Sequence, residues 1–505
     1  MRLTNDSQAV RMWTEVLGQK HVIADEKQLR KAMAATYKTT QEILGILKPH
    51  TIEELQKVVV IAGQHKTPLY TISTGKNWGY GSRTPIQGSS YLLDLSRMNQ
   101  IVDYDEELGY VTVEPGVTQK QLYDFLKNKQ SPFSLSITGS SPDTSIVGNI
   151  CERGVGGGLY SFRAHYISSL EVVLPSGKCI HTGYGRFSNA QAAPVYPEGL
   201  GPSFKDIFIQ SNLGIITKLT LFLAPTPVYT QFIDMYVANE HELRSILTCI
   251  RSFNFSTNSR KAIAFHNDMQ ILASRTQYPW DLTNGKSPLP SDVITQLKRK
   301  YDVNYAWWGV IEIYGYTRQE VTAQTQHLES LIKGMGTIDV SPQFSSEEVD
   351  ARPKNIGKGS YWRMKTKPPK IKNPDLDGCG SIRISAASPF KVQNITEVTE
   401  TFKKVITQFG YEPFIEIHCV SERATLIVAN LLFDRTVDGE DTRALHCHDA
   451  VLNLLMKQGY YPYRLNTHAT SLLPDSTDDY DAFQHTIKVA LDPLDIFSPG
   501  RYKVQ

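Results

Sequence analysis

The chain lacks long hydrophobic runs and a strong net charge, and these two absences exclude several protein classes. No segment reaches the about 18 consecutive apolar residues that a membrane-spanning helix needs. The 53 basic and 51 acidic residues almost cancel, so no basic surface for nucleic acid is indicated. Residues 1–18 have no apolar core typical of a signal peptide. We therefore expect a cytoplasmic protein of 505 residues, with neither membrane nor nucleic acid as a partner.

Cysteine is scarce, and its spacing is uninformative. Six cysteines stand singly in the chain, and no C-x-x-C pair occurs: Cys151, Cys179, Cys249, Cys379, Cys419 and Cys447. This excludes a zinc ribbon and a dithiol redox motif, and reduced thiols are expected. His446, Cys447 and His448 look like metal ligands, but they lie in a helical pattern in which residues i and i+2 do not face each other. We predict no metal site.

Capping residues and strand patterns predict an α+β chain. Thr51 with Glu54, and Thr118 with Gln121, fit capping boxes at the starts of two helices. Strand patterns between and after them predict hairpins that turn at residues 106–109 and 175–177. Beyond residue 226, longer helices alternate with strands, which is typical of an antiparallel sheet backed by helices.

Two changes of pattern predict three parts of the chain. The first change is the APTP at residues 224–227, and the second follows Gly459. We therefore expect an N-terminal part over residues 1–226, an inserted part over 227–459 and a returning segment over 460–505, whose end docks on the rest. Residues 363–378, rich in proline and lysine, are predicted to form an exposed loop.

Two glycine-rich segments indicate an anion site. STGKNWGYG at residues 73–81 fits neither a Walker A loop nor a G-x-G-x-x-G fingerprint. Backbone N–H groups in such turns can converge on a phosphate, because glycine accepts positive φ and has no Cβ to block the approach. GNICERGVGGG at residues 148–158 could line the other side of a pyrophosphate. Either segment alone is weak evidence, because a glycine-rich turn more often simply closes a strand pair.

The chain resembles the vanillyl-alcohol oxidase / p-cresol methylhydroxylase family, in the branch that oxidises 4-alkylphenols. Six segments in order carry the resemblance: PLYTISTGKNWGYG, LLDLSRMNQI, GYVTVEPGVT, VGNICERGVGGG, LEVVLPSGK and NLGIITKL. It implies a PCMH-type FAD-binding domain of two α/β subdomains, built from residues 1–226 and 460–505. It also implies an inserted cap domain of antiparallel sheet and helices over 227–459, which binds the substrate. A homodimer is compatible with this plan.

The resemblance implies which residues contact FAD. The two glycine-rich segments would hold its pyrophosphate, and the tail residues Pro499, Gly500 and Arg501 would close on the flavin ring. The residues expected to bind the cofactor are Ser73, Thr74, Gly75, Lys76, Asn77, Trp78, Gly79, Ser140, Gly148, Asn149, Cys151, Gly154, Gly156, Gly157, Gly214, Ile216 and Arg501.

The resemblance also bears on whether FAD is covalently attached. Family members use a histidine or tyrosine of the cap, or a histidine of the pyrophosphate loop. The aligned cap position is Ile427, and the loop position falls near Lys76 or Asn77; none of these side chains can form the bond. We therefore expect non-covalent FAD. Three other residues remain as unexpected tethers, although a structural role suits each of them better: His165, His418 and Cys419.

Three residues resemble the family's phenolate clamp of two tyrosines and an arginine: Tyr80, Tyr463 and Arg464. A fixed guanidinium and two hydroxyl donors would stabilise a phenolate and lower the pKa of a bound phenol. Without the resemblance, ordinary packing of the tyrosines and an ion pair of Arg464 would explain these residues as well.

The acid or base beside the flavin is less clear. Vanillyl-alcohol oxidase has an aspartate where this chain has Ser140, and Asp143 lies three residues further on. Glu416 and His418 alternate on one face of the strand FIEIHCV and are the candidate bases of the cap. Solvent-facing polar residues would show the same pattern.

These observations predict an FAD-dependent oxidoreductase. It would oxidise a para-substituted phenol by hydride transfer to flavin N5, with O₂ or another electron acceptor as second substrate. The missing aspartate keeps open a different substrate on the same fold: an amine, an alcohol or a biosynthetic intermediate. A flavin- or ligand-binding protein without turnover is the alternative from another class, and the retained clamp argues against it.

Overall fold

The computed structural model describes residues 8–257, 263–350 and 359–503. In these ranges the chain forms three main β-sheets flanked by helices. No helix of the described part is long and apolar enough to cross a membrane. The mixture of helices with parallel and antiparallel strands confirms the predicted α+β class.

The first sheet has the strand order β1–β2–β4–β3, and β4 runs parallel to both of its neighbours. Its strands are β1 (Val22–Ile23), β2 (Glu42–Leu47), β3 (Leu69–Ile72) and β4 (Ser89–Asp94). The accompanying helices are α1 (Gln8–Leu17), α2 (Glu26–Ala32) and α3 (Ile52–Gln64). Thr51 accepts a hydrogen bond from the amide of Glu54, so α3 begins as predicted. The Glu54 carboxylate instead accepts from the amide of His50, so only half of the capping box forms.

The second sheet is antiparallel, with the order β5–β6–β10–β8–β9. The strands of this region are β5 (Ile101–Asp105), β6 (Tyr110–Val113), β7 (Phe133–Ser134), β8 (Ile167–Val173), β9 (Cys179–His181), β10 (Ile215–Phe222) and β11 (Ala224–Pro225). Both predicted hairpins are confirmed, and β7 pairs with β11 separately. The helices are α4 (Gln119–Asn128), capped by Thr118, and α5 (Ile146–Cys151), capped by Ser145. Gln121 donates to the carbonyl of Asn99 rather than completing its capping box.

The third sheet is the large antiparallel sheet that the sequence predicts. Its order is β15–β12–β14–β13–β18–β19–β17, and β16 also pairs with β12. The strands are β12 (Tyr229–Val237), β13 (Ile263–Asn267), β14 (Trp307–Gly315), β15 (Thr337–Val340), β16 (Phe344–Ser345), β17 (Gly380–Pro389), β18 (Phe414–Cys419) and β19 (Ala424–Phe433). The helices are α6 (Glu240–Thr257), α7 (Asp268–Arg275), α8 (Trp280–Thr283), α9 (Ser291–Lys300), α10 (Arg318–Ile332), α11 (Ser346–Asp350), α12 (Val392–Gln408) and α13 (Glu440–Lys457).

The two faces of the third sheet have different roles. Alternate residues of β18 and β19, such as Ile417 and Ile427, are fully buried in one hydrophobic core with α6, α10, α12 and α13. Their neighbours Leu426 and Val428 point to the opposite face, which lines a cavity. The alignment that gave Ile427 as the flavin-facing position is therefore wrong, because strand alternation turns that side chain into the core.

The C-terminal tail docks on the first sheet, as expected. After α14 (Tyr480–Leu491), the carbonyl of Ile496 accepts from the amide of Leu69 at 2.7 Å. The amide of Ser498 in turn donates to the carbonyl of Leu69 at 2.8 Å. The tail thus extends the edge of β3 directly before the first glycine-rich segment. The boundaries at residues 226 and 459 stay predictions.

The predicted exposed loop at residues 363–378 is exposed in only part of its length. Ile371 is 88% exposed, but Pro374 is buried and lines the cavity. Asp375 accepts a hydrogen bond from the Ser82 hydroxyl at 2.8 Å. The polar composition of the loop could not predict this contact, because Ser82 lies almost three hundred residues before Asp375 in the chain.

Candidate active site

A cavity of about 660 Å³ lies between the loops of the first two sheets and the polar face of the third. Apart from Gly79, every residue of the predicted cofactor-binding and catalytic sets lines this cavity, whereas Pro499 and Gly500, which were expected to close on the flavin ring, do not. The carbonyl of Gly79 accepts from the amide of Arg383 at 3.1 Å, and its Cα faces that side chain. Gly79 therefore joins the loop to β17 rather than facing the cavity.

The first glycine-rich segment presents unused backbone donors to the cavity. Gly75 and Gly79 have φ of 65° and 80°, which gives the loop its tight turns. The N–H groups of residues 74–79 donate to no acceptor within the described ranges. A run of unpaired amides on a cavity wall is costly unless a ligand accepts from them, and such a run is a typical anion site.

The second segment leaves room for the same ligand. A Cβ on Gly148 would overlap the Ser73 hydroxyl oxygen, so a side chain at this position would displace Ser73 or move α5 away from the first loop. The Thr74 hydroxyl accepts from the amide of Ser145 at 3.1 Å and fixes the two segments together. A Cβ on Gly157 would have no neighbour closer than 4.0 Å. The two segments therefore fit the pyrophosphate-bearing cofactor that the resemblance implies.

Charged and thiol groups near this wall are fully or partly buried. Arg163 donates to Asn149, and burial lowers the pKa of this guanidinium to about 10. Burial raises the pKa of the Cys151 thiol to about 12, so the thiol stays protonated at neutral pH. At the tail, Arg501 forms an ion pair with Glu152, whose carboxylate also accepts from the Tyr502 hydroxyl at 2.7 Å.

Tyr80, Tyr463 and Arg464 come together as predicted for the clamp. The guanidinium carbon of Arg464 lies 4.0 Å from the centre of the buried Tyr80 ring. Its Nη2 donates to Asn77 at 2.5 Å, and the side chain also hydrogen-bonds Tyr463. Burial raises the pKa of Tyr80, so its hydroxyl remains a neutral donor. Burial alone would lower the pKa of Arg464, but the surrounding tyrosines raise it, so the group is always cationic.

Backbone contacts hold the clamp from both sides of the cavity. The amide of Thr467 donates to the carbonyl of Tyr80 at 3.0 Å. The side chain of Gln210 donates to the carbonyl of Tyr463 at 2.9 Å. These contacts join the clamp segment to the first loop and to the connection that precedes β10, and they position the clamp beside the glycine-rich wall.

The opposite wall is the polar face of the third sheet. The Glu416 carboxylate accepts from Gln270 at 2.5 Å and from the His418 ring at 3.2 Å. Burial alone would raise the pKa of Glu416, but the His418 hydrogen bond and the nearby charges lower it to about 2. His266 and Arg383 line the same wall. The sequence reading missed both, although the alternation in IAFHN was the signal that could have placed His266 on this face.

Other predicted residues have clear positions. Ser140 lines the cavity and its hydroxyl bonds Thr144 at 2.6 Å, whereas Asp143 is exposed and does not line it. His165 and Cys419, two of the alternative tethers, lie outside the cavity lining.

The HCHD segment does not form a metal cluster of its own. His446 is exposed and Cys447 is buried on α13. His448 lies near Asp449 and His468 in a group of potential metal ligands. Asn466 accepts from the amide of Ala469, so its NH₂ donates to His448 Nε2, and His448 Nδ1–H donates to Asp449.

Comparisons with known proteins agree with this geometry. The family described as FAD binding domain matches residues 43–183. The chain is 36% identical to 1'-carboxy-chondrochloren decarboxylase of Chondromyces crocatus, across 98% of this chain and 96% of that protein. It is 29% identical to the flavoprotein subunit of 4-cresol dehydrogenase (hydroxylating) of Pseudomonas putida, across 98% of this chain and 95% of that one.

Solved structures show the same fold over the whole length. p-Cresol methylhydroxylase with substrate bound superposes with a TM-score of 0.88 at 27% identity, covering 99% of this chain and 96% of that one. A 4-ethylphenol oxidase of Gulosibacter chungangensis, in its isoeugenol complex, gives 0.86 at 22% identity, covering 98% and 96%. The chain therefore belongs to the p-cresol methylhydroxylase (PCMH-type) family of FAD-linked oxidoreductases, and its cofactor is FAD.

Proposed function

We propose that this oxidoreductase acts on a para-substituted phenol and removes a hydride from its benzylic carbon. The observation that carries the proposal is the clamp of Tyr80, Tyr463 and Arg464, which lines the same cavity as the cofactor loops. A free phenol has a pKa of about 10 and is mostly neutral at pH 7. A buried guanidinium and two hydroxyl donors favour the phenolate instead.

The phenolate is the form that releases hydride readily, because its negative charge moves through the ring as the benzylic C–H bond breaks. Bound FAD supplies the two-electron acceptor, and O₂ or another oxidant restores it. The organic product is a p-quinone methide; addition of water gives an alcohol, and a second oxidation gives a carbonyl. In this scheme the clamp orients the phenol and holds the negative charge at its oxygen.

We also propose that FAD is bound without a covalent link. The thiol of Cys151 lines the cavity, but burial raises its pKa and keeps it un-nucleophilic. One ring nitrogen of His418 is engaged by Glu416. Release of FAD from acid-denatured protein tests this point, and flavin that stays with the polypeptide would contradict it.

The test of the phenol proposal is anaerobic mixing of the FAD-loaded protein with a 4-alkylphenol. Arg464→Ala should slow phenol-dependent flavin reduction by about a hundredfold or more, as loss of a preorganised charge-stabilising donor does, with FAD still bound. Arg423→Ala is the matched control, because that side chain is largely exposed. Reduction at an unchanged rate in Arg464→Ala would refute the clamp.

A second candidate is oxidative decarboxylation of a phenol that carries a carboxylate one carbon beyond the benzylic position. The chondrochloren decarboxylase relative favours it. Arg383, a cavity-lining guanidinium that interacts electrostatically with Glu416, could hold that substrate carboxylate. After hydride loss, departure of CO₂ would return an electron pair to the ring and leave an alkene. Release of CO₂ and an alkene product would separate this reaction from hydroxylation.

A further inference from the structure

His266 is the centre of a row of side chains that crosses three strands of the third sheet. It pairs directly with Trp308 on β14 and with Glu416 on β18. Its ring stacks on the indole of Trp308, with centroids 5.5 Å apart and planes 28° apart. Trp308 is itself held by a 2.8 Å hydrogen bond to Asp234. The imidazole is therefore fixed in orientation on the cavity wall.

The fold uses the ring of His266 for packing, but its two nitrogens bind no other protein group in the described ranges. The ring lines the cavity. The titratable groups that face it are Glu416 and His418. Burial lowers the pKa of His266, and the charge of Glu416 offsets only part of that effect, so the ring is neutral at pH 7. A neutral, oriented imidazole with free nitrogens can accept a proton.

Glu416 is poorly suited to accept that proton itself. Both of its oxygens already accept hydrogen bonds, one from Gln270 and one from His418. With a pKa of about 2 it stays anionic throughout the neutral range. Its fixed negative charge beside His266 would instead stabilise an imidazolium, which is the role of a carboxylate that supports a histidine base.

The row faces the same space as the clamp. Arg383 interacts electrostatically both with Tyr80 of the clamp and with Glu416 of the row. His266 and the three clamp residues line one cavity, and the para substituent of a clamped phenol would extend into it.

We propose that His266 accepts the proton of the water that adds to the quinone methide. This inference rests on the proposed phenol oxidation, in which hydride loss has already removed two electrons from the substrate. The water oxygen forms the new C–O bond at the benzylic carbon, and the C=C electron pair returns to the ring and restores the phenolate. The water proton moves to the imidazole, and Glu416 stabilises the resulting cation.

The test separates hydride loss from water addition by stopped-flow absorbance of the FAD-loaded protein with 4-ethylphenol. His266→Gln should leave the rate of flavin reduction within about twofold, and should slow the decay of the quinone methide by about a hundredfold, the usual contribution of a general base. Free imidazole should restore much of that rate in His266→Ala. Ser274→Ala is the matched control, since Ser274 lines the same cavity but donates its hydroxyl to the Ile271 carbonyl at 2.7 Å.

Each alternative outcome overturns the inference in a recognisable way. Unchanged decay in His266→Gln, or His266→Ala that imidazole does not rescue, would exclude His266 as the proton acceptor while leaving phenol oxidation intact. An alkene without any alcohol from the unmodified protein would exclude water addition. If 4-alkylphenols do not reduce the flavin at all, the proposed function fails and this inference fails with it.

Discussion

The two walls of the cavity obtain their chemistry in different ways. The cofactor wall uses backbone: the N–H groups of residues 74–79 have no protein acceptor in the described ranges, and Gly148 permits a contact that any Cβ would block. The cap wall uses side chains on strands, chiefly His266, Glu416 and His418. The binding properties of the cofactor wall therefore depend on positions without a side chain. Those of the cap wall depend on which strand side chains point into the cavity.

This difference explains why one family fold can serve several reactions. The backbone donors of the glycine-rich segments are expected to bind the phosphate groups of FAD, which are the same whatever the substrate. Strand side chains on the cap can change without disturbing the backbone that carries them, because the hydrophobic face of the sheet holds the strands in place. Relatives named as a decarboxylase and as a hydroxylating dehydrogenase cover almost the full length of this chain.

The largest effect, on FAD affinity, is expected from adding a side chain at Gly148 in the cofactor wall. Gly148→Val should push α5 away from Ser73 and lower FAD affinity by about a hundredfold or more, because the clash misplaces two segments of the site at once. Fluorescence titration of the apoprotein with FAD measures it. Gly359→Ala is the control on the same cavity, since a Cβ there meets no atom of the described residues within 4 Å. Equal FAD affinity in both variants would break the contrast between the walls.

An intermediate effect, on protein stability, is expected at Asp375, which accepts a hydrogen bond from Ser82 just after the first glycine-rich segment. Burial raises the pKa of its carboxyl from 3.8 to about 6. The folded state thus favours the protonated acid, and ionisation costs stability as the pH rises from about 4 to about 6. Asp375→Asn keeps an acceptor for Ser82 and should stabilise the protein above pH 6 by at most about 3 kcal/mol. Thermal unfolding should show equal Tm values for both proteins at pH 3.5 and a higher Tm for Asp375→Asn at pH 8; the reverse ordering would contradict this reading.

The smallest effect is expected at Lys76, the one cationic side chain of the first glycine-rich segment. Its ammonium lies 5.6 Å from the Trp78 ring, and burial lowers its pKa. If backbone amides hold the pyrophosphate, Lys76→Met should change FAD affinity by no more than about threefold. A loss comparable to that of Gly148→Val would show that this wall relies on a side-chain charge after all.

The cofactor wall was more predictable from sequence than the cap wall, for a physical reason. Glycine spacing is a local signal, and the predicted FAD residues line one cavity except for Gly79, Pro499 and Gly500. Which face of a sheet a strand residue points to depends on the strand register. The alignment that gave Ile427 was shifted by one position, and a shift of one position moves a side chain from the cavity face to the hydrophobic core. His266 was missed because its partners, Trp308 and Glu416, become neighbours only when three distant strands pair.

The central claim is that the clamp binds its substrate as a phenolate, and the ionisation of a bound phenol tests it most directly. Phenol itself has no benzylic hydrogen, so it can be titrated on the FAD-loaded protein by difference absorbance without turnover. The account predicts a pKa below about 8 for bound phenol, and a return toward the free value of about 10 in Arg464→Ala. A bound phenol that ionises near pH 10 in the unmodified protein would contradict the claim.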